Sequence, residues 1–553
     1  MPATEVAANI RVEEGNRVAL LDIAVPGFLV LFFGILFCAL LSSHMLQQRA
    51  DGLYSGGSTW GDLAWHLSMI SNFARRGLGA VRENPVFPRT KLSYPFLPDL
   101  FSAWLITKGV SLQASLIWST LIALLIAIME MYFLARSVVH GYEALWVPFL
   151  FFFNGSIAGI FYFWQDYRAF GLPLLSFVVH QPRDYAHLID HNLQFSNVVS
   201  DYVLPQRAMV FGLALGLVVV QQLWNYWNGG RRAHLLYAGI ALSLLPLVHF
   251  HSFVALGMAA AALFLIEITE PRTSWKQPVL NWMAFAVPML LFALPQVLWI
   301  LPAHAESFFR LQLGWMAGKE SALWFWFKNL SPHVFVFALA LFFSPARFRT
   351  FWAAFLVVFL VTNIIIFQPY DFDNMKLMLW SFLLSCIGSA VLFAVLRQRC
   401  HWRGIAISLL FAASLTLTGA LSVYRELHLH WLMFSNDDIA LANYVREHTP
   451  ADAIFLTSDK HNHPIPCLAG RQIVMGYRGW LWTHGIDYHT REHDILEMYE
   501  GSARTPELLQ TYYVSYILIE LDKLRDLHEN LALLLQKYPA VYQSSHYVLL
   551  QVK

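Results

Sequence analysis

The sequence has 553 residues, of which 57% are hydrophobic and 13% are charged, and its mean hydropathy is +0.49. Soluble domains carry roughly a quarter charged residues, so this composition indicates an integral membrane protein. The formal net charge of +1 excludes the strongly basic surface typical of nucleic-acid-binding proteins. The four cysteines are too few for a disulfide framework.

Apolar runs along the chain predict a polytopic α-helical membrane protein. A membrane-spanning helix needs about 20 apolar residues, and about eleven runs qualify. They are 19–43, 114–135, 143–163, 206–228, 235–249, 252–268, 279–301, 325–343, 351–367, 377–396 and 405–424. We interpret the first run as a span and not as a cleaved signal peptide, because no small-residue cleavage site is obvious. The shorter segment 97–110 is predicted to be a juxtamembrane helix.

Basic loops set the predicted orientation. Short cytoplasmic loops are rich in Lys and Arg, and four loops agree with one another if the N-terminus is cytoplasmic. These loops contain Arg231 and Arg232; Arg272 and Lys276; Arg347 and Arg349; and Arg397, Arg399 and Arg403. The outer face, periplasmic in a bacterial inner membrane or lumenal in an endoplasmic reticulum membrane, then holds most of the polar chemistry. It comprises the loops 44–113, 164–205, 302–324 and 366–377, a turn at 249–252, and the tail 425–553.

The first outer loop carries a carboxylate close to a histidine. Asp62 and His66 are four residues apart, so on a helix their side chains share a face. A carboxylate at a partly dry membrane face can deprotonate an acceptor hydroxyl, and Asp62 and His66 are therefore the predicted catalytic residues. The alternative is a solvated acid that caps a helix, since Gly61-Asp62 is a reasonable helix start.

A second acidic loop lies between two apolar runs. Asp371, Asp373, Asn374 and Lys376 occupy a short break in which every charge is costly to desolvate, so their presence favours a functional role. Carboxylate oxygens at Asp371 and Asp373 could bind a divalent cation, Mg²⁺ or Mn²⁺. Lys376 and Asn374 could instead position a phosphate group. The alternative is a polar turn with an internal Asp–Lys pair.

Three further residues near the outer face are candidate substrate ligands. His249 and His251 lie at the apex of a predicted hairpin, from which both could reach an outer cavity. Structural, hydrogen-bonded histidines are the alternative. Arg207 opens a span at the outer interface and suits a phosphate or pyrophosphate, although snorkelling to lipid headgroups explains it equally well.

The tail from residue 425 to 553 differs in composition and predicts a small α/β domain. Helices are expected at 437–448 and 522–537, and strands at 453–457, at 516–519, around 541 and at 547–550. Tyr477, Trp480, Trp482 and His484 lie in a glycine-bounded stretch, 476–485. Such side chains could stack on a sugar ring or a peptide, or could pack the domain onto the membrane-side loops.

These features together resemble the GT-C superfamily of membrane glycosyltransferases. The resemblance rests on the loop Gly61-Asp62…His66, about eleven spans, the loop Asp371…Lys376 and an outer C-terminal α/β domain. The superfamily includes protein O-mannosyltransferases, aminoarabinose transferases and the catalytic subunit of oligosaccharyltransferase. It implies a transmembrane catalytic domain over 1–424 and a periplasmic or lumenal domain over 425–553.

The resemblance also implies a reaction. Its members transfer a sugar from a polyprenyl phosphate or diphosphate carrier on the outer face, and a carboxylate at the position of Asp62 serves as base or metal ligand. The Trp-Trp-Asp signature of oligosaccharyltransferase is absent, and Gly479-Trp480-Leu481-Trp482 is only reminiscent of it. The acceptor is therefore open among protein, lipid and glycan. A transporter or lipid flippase is the main rival, although no internal repeat is evident, and a noncatalytic membrane subunit is the third interpretation.

Overall fold

The computed structural model describes residues 3–139, 141–270, 275–301, 309–521 and 531–552, which are mostly helical. The helices in chain order are α1 (Ala3–His44), α2 (Thr59–Arg76), α3 (Leu97–Thr107), α4 (Leu112–Val138), α5 (Trp146–Phe152), α6 (Ala158–Phe170), α7 (Leu174–Val179), α8 (Arg207–Trp227), α9 (Ala233–Ser243), α10 (Phe250–Thr269), α11 (Lys276–Ile300), α12 (Ala322–Leu330), α13 (His333–Phe343), α14 (Ala346–Thr362), α15 (Met375–Glu426), α16 (Asn436–His448), α17 (Arg478–Thr483), α18 (His489–Tyr499), α19 (Thr505–Thr511) and α20 (Leu531–Lys537).

Short strands connect and follow the helices. They are β1 (Gln47–Arg49), β2 (Gly52–Ser55), β3 (Arg310–Leu311), β4 (Ile365–Ile366), β5 (Trp431–Ser435), β6 (Ile454–Leu456), β7 (Gln472–Ile473), β8 (Val514–Glu520), β9 (Ala540–Gln543) and β10 (Tyr547–Gln551). One sheet has the order β1-β2-β5, and a second pairs β3 with β4. The five-stranded sheet of the tail has the order β7-β6-β8-β10-β9, with β6 parallel to both neighbours.

Within the described residues, six helical stretches are long and apolar enough to cross a membrane. They are Ile23–His44, Leu112–Val138, Arg207–Trp227, Phe250–Thr269, Lys276–Ile300 and Asp371–Glu426. The pair α12 and α13 would be a seventh if counted as one span, but it bends by 88°. The polytopic helical character predicted from the sequence is confirmed, while the count of eleven stays a prediction.

Two of the predicted spans are interrupted for identifiable reasons. In the run 143–163, α5 ends at Phe152, and Asn154 lies outside the helix and binds the loop before α8. Its Nδ2 donates to the Ser196 carbonyl at 2.8 Å and its Oδ1 accepts from the Val198 amide at 2.8 Å. The run 325–343 breaks at Pro332, which has no N–H with which to continue α12.

The long helix α15 consists of two arms that meet at a kink. His401, at the junction, has a φ of 49° and a ψ of −126°, outside the helical region. Both arms lie against the α5 region, since the rings of Phe382 and Phe151 are 6.1 Å apart and the Gly155 amide donates to the Leu415 carbonyl at 3.2 Å. Two separate apolar runs, 377–396 and 405–424, thus pack side by side.

The elements predicted for the tail are largely present. The helix expected at 437–448 is α16, and the four expected strands are β6, β8, β9 and β10. The helix expected at 522–537 is seen as α20, and its portion over 522–530 lies outside the described residues. Sequence patterning therefore predicted the local structure of the tail well.

The tail packs directly on α2, the helix of the first outer loop. Ser71 Oγ donates to the Cys467 carbonyl at 2.7 Å, and the Cys467 thiol approaches the Ala64 carbonyl at 3.4 Å. Gly470 has a φ of +67°, and a Cβ there would lie 2.4 Å from the Ser71 carbonyl oxygen. The close approach of the two chain segments requires glycine at this position, and one continuous apolar core joins the membrane helices to the tail sheet.

Candidate active site

Asp62 lies in the first turn of α2, partly buried. The helix begins at Thr59, and Asp62 is therefore not the residue that caps it; the capping alternative is wrong. Burial raises the pKa of the Asp62 carboxyl above its ordinary value, Asp373 raises it further, and the positive charges of Lys376 and His66 lower it. Charged groups of the first outer loop and of the loop 366–377 therefore act on the same carboxylate, that of Asp62.

His66 is held by a second carboxylate that the sequence did not single out. Its Nδ1 lies 2.9 Å from Asp99 Oδ2, and both side chains are almost fully buried. Asp99 also accepts from Arg207 Nη1 at 2.5 Å. Arg207, Asp99 and His66 therefore form a row of hydrogen-bonded side chains that ends beside Asp62.

Arg207 is only 1% exposed and is fully engaged on its two terminal nitrogens. Besides Asp99, it donates to Ser102 Oγ at 2.6 Å and to Ser119 Oγ at 3.0 Å. These partners come from α3 and α4, whereas Arg207 itself opens α8. The structure places this guanidinium as a cross-link between three helices, not at a solvent-facing phosphate site.

The loop 366–377 is shaped by the side chain of Asn374. Its Nδ2 donates to the carbonyls of Thr362 and Ile365 at 2.9 and 2.7 Å, and its Oδ1 accepts from the Phe367 amide at 3.1 Å. These bonds occupy a fully buried amide and turn the chain back on itself. Lys376 points to the same side as Asp62 and pairs with Asp373, Nζ to Oδ1 at 2.9 Å.

The two carboxylates proposed as metal ligands have different partners. Asp371 pairs with Arg310 and accepts from Gln312 Nε2 at 2.9 Å, whereas Asp373 pairs with Lys376. Over the described part of the chain, the three side chains close enough to share an ion are His493, Asp494 and Glu497, at the surface of the tail. A cation at Asp371 or Asp373 would have to displace cationic side chains, and the residues present do not form a ready oxygen cage.

His249 and His251 border the same region. Their rings lie 5.0 Å apart, and His249 Nδ1 is 2.8 Å from Ser252 Oγ. His251 is hydrogen-bonded to Gln368 and lies within electrostatic reach of Lys376 and Asp373. The predicted hairpin apex is therefore brought to the acidic loop.

The aromatic stretch of the tail packs against Trp65 of α2 and against Tyr370. The Trp480 ring is 5.4 Å from that of Trp65, and the His484 ring is 4.8 Å from the same indole. Trp482 packs edge-on against Tyr370 at 5.4 Å. Burial lowers the pKa of His484 to about 4, so its imidazole is neutral at pH 7. Both sequence interpretations of this stretch, packing and substrate contact, are compatible with its place.

Three residues at the site escaped sequence reasoning. Asp62 and Asp373 both raise the pKa of Tyr94 and that of Tyr370, after burial in each case, so the two phenols border the same carboxylates. A tyrosine in a loop carries no distinguishing pattern. Asp99, in contrast, could have been recognised, because it is an isolated acid in the apolar segment 97–110. An acid in such a segment favours a functional or paired charge.

This arrangement of membrane-capable helices and connecting loops is similar to the fold of solved membrane enzymes. The sequence matches no protein-family model and no curated protein. In solved structures the likeness extends over most of the chain. ArnT from Cupriavidus metallidurans, in a structure bound to undecaprenyl phosphate, gives a TM-score of 0.54 at 12% identity over 95% of this chain and 98% of its own.

The oligosaccharyltransferase of Archaeoglobus fulgidus has a similar fold. Its apo structure gives a TM-score of 0.52 at 11% identity, covering 92% of this chain and 72% of its own. Its structure tethered with an acceptor peptide that contains the NVT sequon gives a TM-score of 0.50 at 12% identity. The match covers 91% of this chain and 70% of the oligosaccharyltransferase. At these identities the likeness establishes the fold, and the chemistry must be argued from the site.

Proposed function

We propose that this protein is an integral-membrane glycosyltransferase that moves a sugar from a polyprenyl phosphate or diphosphate carrier to an acceptor at the outer face of the membrane. The observation that carries the proposal is the convergence of Asp62, Asp373 and Lys376 beneath the tail, in a chain with the GT-C fold. A base and a cation beside each other are what sugar transfer from a phosphate carrier needs.

The carrier lipid lies in a groove between membrane helices, with its phosphate at Lys376. The lysine is 8% exposed, and an ammonium so placed is a compact phosphate ligand. His249 and His251 border the phosphate from α10, and Tyr477, Trp480, Trp482 and His484 flank the sugar or acceptor from the tail. The related ArnT structure contains undecaprenyl phosphate, which supports a lipid-linked donor.

Asp62 acts as the base in a single inverting displacement. The acceptor hydroxyl gives its proton to the Asp62 carboxylate while its oxygen attacks the anomeric carbon. The bond from that carbon to the carrier oxygen breaks, and the electron pair leaves with the polyprenyl phosphate. No strong general acid is needed, because the leaving group is already a phosphate. Arg207 and Asp99 serve the reaction by positioning His66.

The raised pKa of Asp62 suits this role. A carboxylate of higher pKa is a stronger base, provided that it stays ionised at the working pH. Lys376 and His66 oppose the effect of burial on this pKa. The site thus combines a dry environment with the nearby positive charge of Lys376.

The protein is proposed to lie in the bacterial inner membrane or the endoplasmic reticulum membrane, with about eleven spans. Its N-terminus is cytoplasmic, and its tail, residues 425–553, faces the periplasm or lumen. This orientation places Asp62 and the loop 366–377 on the side where lipid-linked sugars are consumed.

Turnover in lipid nanodiscs tests the proposal. Wild-type protein is given a panel of radiolabelled polyprenyl-phosphate sugars, and carrier release and product are followed. Losing a positioned base costs on the order of 10²–10⁴ in rate, so the turnover rate of the Asp62→Asn variant should fall by that factor. The matched control is Asp51→Asn in the same loop, whose carboxylate bonds to Tyr54 at the surface. Full activity in a folded Asp62→Asn protein would refute the assignment of the base; alternating access without carrier release would establish a transporter.

A divalent cation at Asp371 or Asp373 stays a prediction. The mechanism above routes no step through it, because both carboxylates face cationic side chains. Chelation with EDTA followed by readdition of Mg²⁺ or Mn²⁺ decides the matter. We expect turnover to survive chelation; loss of turnover that either ion restores would place a cation in the site.

A further inference from the structure

A second cavity lies between the tail and the membrane-side loops, outside the site already described. It has a volume of about 530 Å³, within the range of small-ligand pockets. Trp60 of α2 and Met433 of β5 line one side, and Lys460, His461 and Asn462 line another. Three separate parts of the chain thus contribute to one cleft.

The cleft contains buried acceptor atoms that lack a partner. Asn462 is 4% exposed; its Nδ2 donates to the Met433 carbonyl at 2.6 Å, while its Oδ1 is buried with no hydrogen-bond partner among the described residues. His461 Nε2 is in the same state, although the ring is bonded to the Trp60 backbone. Leaving buried polar atoms unpaired is costly, so a ligand that donates to them would be favoured.

The aromatic lining continues from the cleft towards Asp62. The His461 ring is 3.9 Å from that of Trp60 and 5.8 Å from that of Tyr477. Tyr477 acts electrostatically on Tyr370, and Asp62 acts on Tyr370 as well. Trp60 lies two residues before Asp62 on α2, so the cleft adjoins the helix that carries the carboxylate.

We propose that this cleft binds a saccharide, so that the acceptor of the transfer reaction is a glycan. The identity of the acceptor rests on the proposed function, whereas saccharide binding in the cleft does not. A glycan hydroxyl donates to Asn462 Oδ1 or His461 Nε2, and the apolar face of a sugar ring lies on the Trp60 indole. A further hydroxyl of the same chain then extends to Asp62.

The chemistry of the lining favours a saccharide over a peptide. Side chains that can hydrogen-bond line the same cleft as Trp60, including Asp438, Lys460, Glu520, His546 and Tyr547. A peptide bound in extended form needs instead a row of backbone partners and pockets for alternate side chains. Clustered side-chain donors and acceptors around one indole match the many hydroxyls of a sugar.

Direct binding without donor tests the cleft. Wild-type protein in nanodiscs is titrated with mannotriose, maltotriose and chitotriose at millimolar concentration, and saturation-transfer NMR and calorimetry report Kd. The variants are His461→Phe, which keeps a ring but removes Nε2, and Trp60→Ala. The matched control is His448→Phe, because His448 also stacks on an aromatic ring and bonds to the backbone, but on α16 outside the cleft.

We expect at least one trisaccharide to bind wild type, with Kd raised about tenfold or more in both cleft variants. His461→Phe loses a buried hydrogen bond, and Trp60→Ala loses the ring on which the sugar lies. His448→Phe should leave Kd unchanged. Binding of none of the three, equal binding by all variants, or binding of a Ser/Thr-containing peptide in their place would overturn the saccharide cleft. If trisaccharides bind through His461 but no donor is turned over, the transferase fails and the cleft stands.

Discussion

Asp62 is the residue on which the proposed chemistry depends, and its protonation is set by neighbours that can be changed one at a time. Burial raises its pKa, Lys376 and His66 lower it, and Asp373 raises it. A base works when it is ionised, so the rate should fall as pH drops through this pKa. The acidic limb of kcat/KM reports the free enzyme and thereby the environment of Asp62.

Two substitutions should move that limb in opposite directions. Lys376→Met removes a positive charge, so the pKa of Asp62 rises and the limb shifts to higher pH. Asp373→Asn removes a negative charge, so the pKa falls and the limb shifts to lower pH. The measurement is the midpoint of kcat/KM against pH, which is independent of how much overall rate each variant loses.

The two variants control for each other, because Lys376 and Asp373 contact each other and either substitution breaks that contact. If breaking that contact merely disturbed the loop, both variants would shift the limb in the same direction. Shifts of the same sign, or an unmoved midpoint, would mean that another group sets the acidic limb.

Sequence reasoning at this scale succeeded where a signal was local. The charges of 371–376 in an apolar setting marked a loop that the structure does bring to Asp62. The helical spacing of Asp62 and His66 was also informative, but it could not reveal that Asp99 holds the His66 Nδ1 from 33 residues away. Long-range pairing leaves no periodicity in a single sequence.

Among the secondary-structure elements, α3 and α8 are joined by a buried ion pair, and α4 is joined to them by a hydrogen bond from the same arginine. Arg207 and Asp99 are 1% and 0% exposed and are 108 residues apart in the chain. In the sequence, Arg207 was interpreted as an interfacial phosphate ligand. Its partners on α3 and α4 are distant in the chain, so a single sequence does not reveal them. The breaks at Asn154 and Pro332 were not predicted, because hydropathy is averaged over a window. A single residue that ends a helix hardly changes that average.

The ion pair should contribute chiefly to stability. Breaking a buried pair typically costs about 3–5 kcal/mol, because one charge is left uncompensated. Arg207→Met should therefore lower the unfolding temperature sharply, and the double variant Arg207→Met with Asp99→Asn should recover part of the loss. Thermal unfolding in detergent, followed by tryptophan fluorescence, measures both.

A phosphate-binding arginine would behave differently. It would leave the unfolding temperature nearly unchanged, raise KM for the lipid donor, and show no rescue by Asp99→Asn. That pattern would return Arg207 to the donor site and remove its role as the group that orients Asp99 and His66.

For the whole molecule, the decisive contact is the one between the tail and the first outer loop. Asp62 lies on α2, and the tail meets α2 through Ser71 and Cys467. The docked tail supplies Trp480 and His484 against Trp65, and it closes one side of both the proposed active site and the saccharide cleft. Docking should therefore govern activity without contributing a reacting group.

Glycine substitutions separate docking from backbone strain. Gly470→Ala places a Cβ 2.4 Å from the Ser71 carbonyl oxygen, whereas Gly171→Ala meets nothing within 4 Å, although both glycines are in the left-handed region, with φ of +67° and +64°. A positive φ alone costs a non-glycine residue about 1–2 kcal/mol, and both variants incur that cost. Only Gly470→Ala should also loosen the tail, with faster amide exchange at 465–470 and a loss of sugar transfer well beyond that of Gly171→Ala. If the two variants transfer sugar equally well, the tail is a separate module, and the contacts of Trp480 and His484 have no part in the reaction.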